Sequence, residues 1–250
     1  MTTPFPDAFI LLTGGAGRRL GGVDKASIDV GGDTLFDRAV AAALGRPVVV
    51  VGPERLTQHS VTFTREDPPG GGPAAGIAAG VLAVGLLGVS KFDAAVNRGH
   101  VVPAPLVAIL AVDHVGVVSE TWQRLATAVS NGDRSAGVRT DCGTDGSQIG
   151  SSVGPVAGGA LLVSGGRRQY GVGVFTLASL NAACASKPSW HGRPLREFLD
   201  PIVGGEVEAR GDESRDIDTL EDLQWWLAHA DAHLAQGGAV SSADDKGDLI

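Results

Sequence analysis

The chain has 250 residues, of which 43% are hydrophobic and 19% are charged, a composition that supports a folded core and excludes a disordered chain. With 28 acidic against 20 basic residues the formal net charge is -8, so we expect neither a basic surface for a nucleic acid nor a nucleic-acid partner. The cysteines Cys142 and Cys184 lack CxxC spacing, so we expect reduced thiols. No basic residue precedes the first apolar run, and the weakly polar stretch 74–89 is too short to span a bilayer. We therefore predict a cytoplasmic protein without a membrane partner.

Short apolar, β-branched runs alternate with longer segments of helical character, which is the pattern of a mostly parallel sheet covered by helices. The predicted strands are residues 9–13, 47–51, 61–63, 106–112 and 170–177. The predicted helices are residues 35–44, 74–86, 119 to about 130, 194–199 and 219–234. The Gly/Ser-rich region 131–166 gives no pairing, and we expect residues 237–250 to be a disordered tail.

A glycine-rich turn directly follows the first predicted strand, with the sequence LTGGAGRRLGGVDK over residues 12–25. Glycines let backbone N–H groups approach phosphate oxygens, and Arg18, Arg19 and Lys25 add positive charge. The dinucleotide motif GxGxxG would need glycine in place of Leu20, and a P-loop would need Ser or Thr in place of Ala26. The segment therefore predicts a triphosphate site of another type.

This segment resembles the signature of the molybdenum cofactor guanylyltransferases, which are MobA-like NTP transferases of the sugar-nucleotidyltransferase superfamily. That signature is roughly L-A-G-G-x-x-x-R-M-G-x-x-D-K, and it is matched here at Leu12, Gly14, Gly15, Arg19, Gly21, Asp24 and Lys25. Thr13 stands for the usual alanine and Leu20 for the usual methionine. The resemblance implies an α/β, three-layer Rossmann-like nucleotidyltransferase fold with a mostly parallel central sheet, as a single domain over residues 1–236.

Later segments resemble the family's motifs in the same order. Asp67 and the loop Gly72-Pro73-Ala-Ala-Gly76 are similar to the acidic residue and the P-x-x-G loop near the base and ribose. Asp113 is similar to the metal-binding aspartate that follows a central strand. The segment 216–223, DIDTLEDL, is similar to the late motif whose first or third residue, here Asp216 or Asp218, completes the metal site.

Some positions depart from the family pattern. Gly52 stands where an asparagine is frequent, His114 follows Asp113 where a proline usually comes within two residues, and Leu220 replaces a proline. The segments 84–105 and 131–166 are also longer than the family leads us to expect. These departures bear on the substrate more than on the fold.

The resemblance implies transfer of GMP from GTP to the phosphate of molybdopterin, with release of pyrophosphate. It implies catalytic roles for Lys25, Arg19 and Asp113, and Mg²⁺ at Asp113, Asp218 and Asp216. The implied nucleotide-binding residues are Leu12, Thr13, Gly14, Gly15, Lys25, Asp67, Gly72, Pro73, Gly76 and Asp113. The implied partners are GTP, a molybdopterin-type phosphorylated acceptor, and a molybdenum insertion protein or apo-molybdoenzyme.

Other interpretations stay open at this point. The pair Gly14-Gly15 favours guanine, whereas Asp216-Ile-Asp218 is also familiar from CTP-dependent molybdenum cofactor cytidylyltransferases. A catalytically weakened homologue that only binds a nucleotide or cofactor is a second alternative. Taken alone, Asp113 is also compatible with a helix cap, and Asp216 and Asp218 with solvated turn residues.

Overall fold

A computed structural model of the chain describes residues 3–14, 20, 22–89, 104–136 and 157–237. The predictions for Gly15, Arg18, Arg19 and Gly21, for most of the two long segments and for the tail after residue 237 lie outside these residues. Among the described helices, none combines the length and the apolar character that a membrane span requires.

Seven described strands form one sheet in the order β5-β4-β1-β6-β8-β7-β9. Only β8 runs antiparallel to its neighbours in this sheet, and the other pairs are parallel. The strands are β1 (Ala8–Leu12), β4 (Val48–Val51), β5 (Thr62–Thr64), β6 (Leu106–Ala111), β7 (Gly159–Ser164), β8 (Arg167–Thr176) and β9 (Val203–Glu208). Two short strands, β2 (Asp29–Val30) and β3 (Asp33–Thr34), pair separately with each other.

Helices cover both faces of the sheet. They are α1 (Leu35–Ala41), α2 (Gly72–Leu86), α3 (Ser119–Ala136), α4 (Leu177–Ala185), α5 (Leu195–Leu199) and α6 (Leu220–Gly237). Alternate residues of β1 face opposite sides, so Phe9 and Leu11 pack with α1, α3 and α6, whereas Ile10 and Leu12 pack with α2, α4 and α5. The predicted three-layer α/β fold with a mostly parallel sheet is confirmed.

The element bounds differ from the predictions mainly in the second half of the chain. Helix α3 continues to Ala136, inside the region that gave no pairing, and β7 also lies in that region. The predicted strand 170–177 is the second half of β8, and Leu177 instead begins α4, where the Thr176 hydroxyl accepts a hydrogen bond from Ser179 N at 3.2 Å. Strand β9 was not predicted.

The register of the central strands places the candidate functional residues at one edge of the sheet. Leu12, the last residue of β1, pairs with Val51 of β4 and with Ala111 of β6. Thr13, Gly52 and Asp113 follow these strand ends within two residues. This is the carboxyl edge, where open α/β sheets bind their ligands.

Candidate active site

The turn after β1 is held by both neighbouring strands. Thr13 donates twice to the carbonyl of Val51, from its backbone N at 3.1 Å and from Oγ1 at 3.2 Å. The carbonyl of Leu12 accepts from Val112 N at 3.0 Å. A side chain at Gly14 would meet no atom of the described residues within 4 Å, so those residues leave room for a phosphate beside its backbone.

Lys25 begins a 3-10 turn that Asp24 caps. The Asp24 carboxylate accepts from Ala26 N at 3.2 Å and from Ser27 Oγ at 3.0 Å, and it also contacts the guanidinium of Arg55 at 3.1 Å. These contacts explain the Asp-Lys pair of the sequence motif, since the aspartate fixes the backbone from which the lysine side chain extends.

The Lys25 ammonium lies between two carboxylates. Its Nζ donates to Asp113 Oδ2 at 2.8 Å and to Asp218 Oδ1 at 2.5 Å, and only 12% of the Lys25 side chain is exposed. Burial acts against the charged ammonium, but the hydrogen bonds and charges of both carboxylates outweigh it and raise the pKa of Lys25. The lysine is therefore a permanent cation in this site.

The late segment is anchored to the end of β6. Ile217 N donates to the carbonyl of Asp113 at 3.1 Å, and the Ile217 side chain is fully buried in the core. Thr219 then caps α6 in a reciprocal pair with Asp222, whose carboxylate accepts from Thr219 N at 2.9 Å while Asp222 N donates to Thr219 Oγ1 at 3.2 Å. This cap fixes the segment that carries Asp218.

Asp216 lies within electrostatic range of the carboxylates of Asp113 and Asp218. Burial raises the pKa of Asp216, the charges of Asp218 and Asp113 raise it further, and the imidazole of His114 acts in the opposite direction. The structure therefore brings together the three aspartates that the sequence motifs assigned to a metal. Such a cluster attracts cations and repels anions unless a cation intervenes.

The donor set of this cluster fits magnesium shared with a substrate. In the part of the chain that the structure describes, no three His, Cys, Asp or Glu side chains are grouped closely enough to form an all-protein metal cage. However, Asp113 and Asp218 both approach one positive charge, that of Lys25. Mg²⁺ is typically held by one or two carboxylates, with phosphate oxygens and water in its other positions. The assignment of Mg²⁺ to Asp113, Asp218 and Asp216 stays a prediction.

The predicted base loop lies beside the end of β4. A side chain on Gly76 would come 3.1 Å from Val51 Cγ1 and 4.0 Å from Leu12 Cδ2, so the start of α2 packs directly against the end of the sheet. Gly72 has φ +83°, and Pro73 occupies the first turn of α2. Leu12 and Gly76, which are far apart in sequence, are thus brought together, as a shared nucleotide site requires.

A second loop, residues 187–193, supports the base loop and was not identified from the sequence. Gly192 N donates to the carbonyl of Gly71 at 2.8 Å. Trp190 anchors this loop: it is 5% exposed, its ring packs edge-on against Phe198 at 4.7 Å, and its Nε1 donates to the carbonyl of Cys184 at 3.2 Å. A buried tryptophan within a Pro/Ser/Gly-rich loop was the signal available in the sequence.

Asp67 precedes the base loop, on the side of the sheet that α2 covers. It lines a groove of about 720 Å³ between α2 and α4, together with Cys184, Lys187 and His191. The sequence interpretation did not anticipate this groove. Its floor consists largely of alanine and leucine side chains of α2, namely Ala75, Ala78, Ala79, Leu82, Ala83 and Leu86.

The fold has three layers, and the carboxyl edge of its sheet carries a glycine turn, a bridging lysine and neighbouring aspartates. These features define a nucleotidyltransferase of the α/β class. The model of the MobA-like NTP transferase domain family matches residues 9–195. The chain belongs to this family.

Similar proteins support the same class. A molybdenum cofactor guanylyltransferase from Acidiphilium cryptum is 38% identical over 78 residues, which are 29% of this chain and 40% of that protein. The chain therefore matches less than half the length of this curated relative.

Solved structures share the fold. A molybdopterin-guanine dinucleotide biosynthesis protein A from Archaeoglobus fulgidus is 14% identical, with a TM-score of 0.59 over 90% of this chain and 99% of that one. A nucleotidyl transferase from Methanothermobacter thermautotroptrophicus is 19% identical, with a TM-score of 0.57 over 92% and 98%. A 2-C-methyl-D-erythritol 4-phosphate cytidylyltransferase from Thermus thermophilus is 17% identical, with a TM-score of 0.51 over 89% and 98%.

Proposed function

We propose that this protein transfers GMP from GTP to the phosphate of a molybdopterin-type acceptor and releases pyrophosphate. The observation that carries this proposal is the convergence of Lys25, Asp113 and Asp218 beside the glycine turn. The similarity to a molybdenum cofactor guanylyltransferase supports guanine and the molybdopterin acceptor. We further propose that residues 1–236 act as one cytoplasmic domain, and that a molybdenum insertion protein or an apo-molybdoenzyme receives the product.

In this reaction an acceptor phosphate oxygen attacks the α-phosphorus of GTP and the pyrophosphate leaves from the opposite side. The acceptor is already anionic, so the enzyme needs to position and neutralise charge rather than to supply a general base. The raised pKa of Lys25 agrees with this, because a lysine that keeps its proton cannot act as a base.

Lys25 is placed to bind the α-phosphate. An ammonium group has three N–H donors, and Asp113 and Asp218 use two of them. The third N–H has no partner among the described residues, which leaves it for a phosphate oxygen. As charge grows on the α-phosphate in the transition state, this contact strengthens and lowers the barrier.

The other nucleotide contacts follow from the edge of the sheet. Leu12 and Thr13, which are held by Val112 and Val51, position the turn, backbone N–H groups from Gly14 into Gly15 bind phosphate oxygens, and Arg19 holds the departing pyrophosphate. The base and ribose occupy the space beside Asp67 and the start of α2, at Gly72, Pro73 and Gly76. Asp113, Asp218 and Asp216 would hold Mg²⁺, which would supply neutralisation of phosphate charge.

One sequence feature favours a second candidate, CTP in place of GTP. Asp216-Ile217-Asp218 resembles the late motif of the cytidylyltransferases, and both aspartates lie in the carboxylate cluster. The base contacts therefore have to be measured directly.

A thermal-shift panel of the four NTPs, with and without Mg²⁺, tests the proposal. A nucleotide present at 100 times its Kd stabilises the native state by about 2.7 kcal/mol, which shifts Tm visibly. We expect GTP with Mg²⁺ to raise Tm, Asp113→Asn to remove the dependence on Mg²⁺, and the exposed control Asp33→Asn to behave like the parent protein. A shift with CTP alone would favour the second candidate. No shift with any NTP would refute a nucleotidyltransferase site, and GTP binding without transfer to the acceptor would indicate a catalytically weakened homologue.

A further inference from the structure

His114 is a buried imidazole at the centre of the site that the proposed mechanism does not use. It directly follows Asp113, its backbone N donates to the carbonyl of Ala111 at 3.1 Å, and only 9% of the residue is exposed. Its Nδ1 is shielded from solvent and has no hydrogen-bond partner in the part of the chain that the structure describes. Buried polar atoms without partners are uncommon and costly, so this one calls for an explanation.

The space for the ring is provided by Gly171 on β8. A Cβ on Gly171 would lie 2.5 Å from His114 Nε2, 2.7 Å from His114 Cδ2 and 3.0 Å from Ala111 Cβ. Any larger residue at position 171 would displace the imidazole. The glycine therefore lets the imidazole pack against β8, with Nε2 and Cδ2 next to Gly171.

The sheet is irregular at the same place. The pairing of β7 with β8 passes from Leu161 with Gly173 to Leu162 with Gln169, so residues 170–172 have no partner in β7. Bulges of this kind occur often next to active sites, where they redirect side chains. On the other side of β8, the last pair with β6 is Leu110 with Val172. His114 thus lies where β6 and β8 separate.

The unpartnered Nδ1 favours the tautomer in which Nε2 carries the proton. Buried N–H groups without an acceptor are rarer in native structures than buried acceptors without a donor. With the proton on Nε2, the nitrogen next to Gly171 is the hydrogen-bond donor of this ring.

The position of His114 indicates which substrate it meets. The proposed nucleotide contacts belong to β1, β4 and the start of α2, on one side of Asp113, whereas His114 and Gly171 lie on the β8 side of β6. An in-line reaction places the attacking group and the leaving pyrophosphate on opposite sides of the α-phosphorus. With the pyrophosphate over the glycine turn, the acceptor phosphate belongs on the β8 side.

We propose that His114 binds the acceptor phosphate through a hydrogen bond from Nε2–H, with Gly171 keeping the ring in place for it. This rests on the proposed phosphoryl acceptor. An anionic acceptor approaching Asp113, Asp216 and Asp218 meets repulsion, and a donor aimed at its phosphate offsets part of that repulsion. His114 is then a specificity residue for the acceptor that makes no proposed contact with the nucleotide.

The test compares acceptor binding with nucleotide binding in three variants. His114→Leu removes the donor, His114→Gln keeps an N–H at about the position of Nε2, and Gly171→Ala displaces the ring while His114 is retained. The acceptor probe is molybdenum cofactor released from a molybdoenzyme, and its Kd is measured by pterin fluorescence in the presence of Mg²⁺ and an α,β-non-hydrolysable GTP analogue. KM for the cofactor and Kd for GTP are measured alongside.

A hydrogen bond to a charged group corresponds to a change of about 10- to 100-fold in binding. We expect His114→Leu and Gly171→Ala to weaken cofactor binding and raise its KM by that factor, with GTP binding unchanged and most of the loss restored in His114→Gln. Equal cofactor Kd values in the parent and His114→Leu proteins would overturn the inference. A parent protein that binds neither GTP nor the cofactor would instead refute the proposed function, so the two failures are distinguishable.

Discussion

The ammonium of Lys25 and the carboxylate of Asp113 lie 2.8 Å apart across a sequence separation of 88 residues. The first follows the glycine turn after β1, and the second follows β6, the strand beside β1 in the sheet. Parallel pairing of neighbouring strands therefore creates the contact, since it brings both strand ends to one edge. The ion pair keeps Lys25 protonated. A protonated lysine can bind a phosphate, whereas a general base has to be unprotonated.

Replacing Lys25 with methionine tests its proposed role in the transition state. We expect Lys25→Met to lower kcat by about 10²- to 10³-fold, the usual effect of removing one donor aimed at developing charge, with a smaller effect on Kd for GTP. Steady-state kinetics and GTP binding measure the two effects separately. Arg46→Met is the control, because Arg46 is exposed and precedes β4 at the amino edge of the sheet, opposite the site. A Lys25→Met enzyme with the parent kcat would contradict the mechanism.

Two departures from the family signature compensate each other in the structure. A Cβ on Gly52 would lie 2.2 Å from Thr13 Oγ1, which is the hydroxyl that donates to Val51. The threonine thus occupies the space in which a side chain at position 52 would begin. Gly52 also has φ +154°, which disfavours a side chain. We expect Gly52→Asn alone to destabilise the fold by about 1–3 kcal/mol, and the double variant Thr13→Ala/Gly52→Asn, which removes only the overpacking, to lose less.

Urea denaturation of the parent, both single variants and the double variant measures this coupling. Residues in contact show interaction energies of about 0.5–3 kcal/mol in such cycles. Gly45→Asn is a control for the change from glycine to asparagine, because Gly45 has φ +76° and open space around its Cα. Additive effects of the two single substitutions would mean that Thr13 and Gly52 do not constrain each other.

The sequence predicted the central sheet and the aspartate cluster because both depend on local patterns. Strands β1, β4 and β6 are short apolar runs with turn residues behind them, and Asp113 and Asp218 occur in motifs of fixed spacing. Strand β9 was missed because Gly204 and Gly205 lie near its start and leave few β-branched residues to indicate a strand. Strand β7 was missed because it lies in a Gly/Ser-rich region and is defined by its pairing with β8 and β9.

The contacts inside the site could not be predicted from spacing. The room between Gly52 and Thr13, and that between Gly171 and His114, depends on how strands distant in sequence approach one another. A family signature describes each position separately, so a residue that departs from it looks like a defect until its neighbour in space is known. Here Gly52 leaves room for the hydroxyl of Thr13, and Gly171 leaves room for the ring of His114.

The support of the base loop by residues 187–193 leads to a prediction about KM. A Cβ on Gly71 would lie 2.8 Å from Ala75 Cβ in α2 and 2.9 Å from His191 Nδ1 in the loop 187–193. Gly71→Ala therefore has to move the base loop away from residues 187–193. We expect GTP KM to rise several-fold while kcat changes little, because the phosphate contacts at Lys25 are untouched. Gly85→Ala in α2 is the control, since a side chain there meets nothing within 4 Å. A lower kcat with unchanged KM would contradict a role in base binding.

A buried carboxylate holds the turn that precedes the late aspartate segment. Glu213 is 5% exposed and accepts from Thr121 Oγ1 at 2.6 Å, from Arg210 N at 2.7 Å and from the guanidinium of Arg124. Glu213→Ala leaves Arg124 with the carbonyl of Glu208 but without its carboxylate, and breaking a buried ion pair typically costs about 3–5 kcal/mol. Urea denaturation measures the loss, with the exposed Glu54→Ala as control. A loss below about 1 kcal/mol would show that α3 and this turn are held by apolar packing instead.

The thiol of Cys184 gives a prediction that depends on pH. Burial raises its pKa to about 11, so the reactive thiolate is scarce at neutral pH. At pH 8 a thiol of this pKa is only about 0.1% thiolate, roughly two hundred-fold less than an unperturbed cysteine of pKa about 8.5. In a Cys142→Ser protein we therefore expect slow labelling by iodoacetamide at pH 8, with the rate rising about tenfold per pH unit toward pH 11. The same protein in urea supplies the reference rate. Labelling of the folded protein at that reference rate would show that the thiol is exposed to water in the groove between α2 and α4. The predicted pH profile would instead show that the thiol is buried in the lining of this groove.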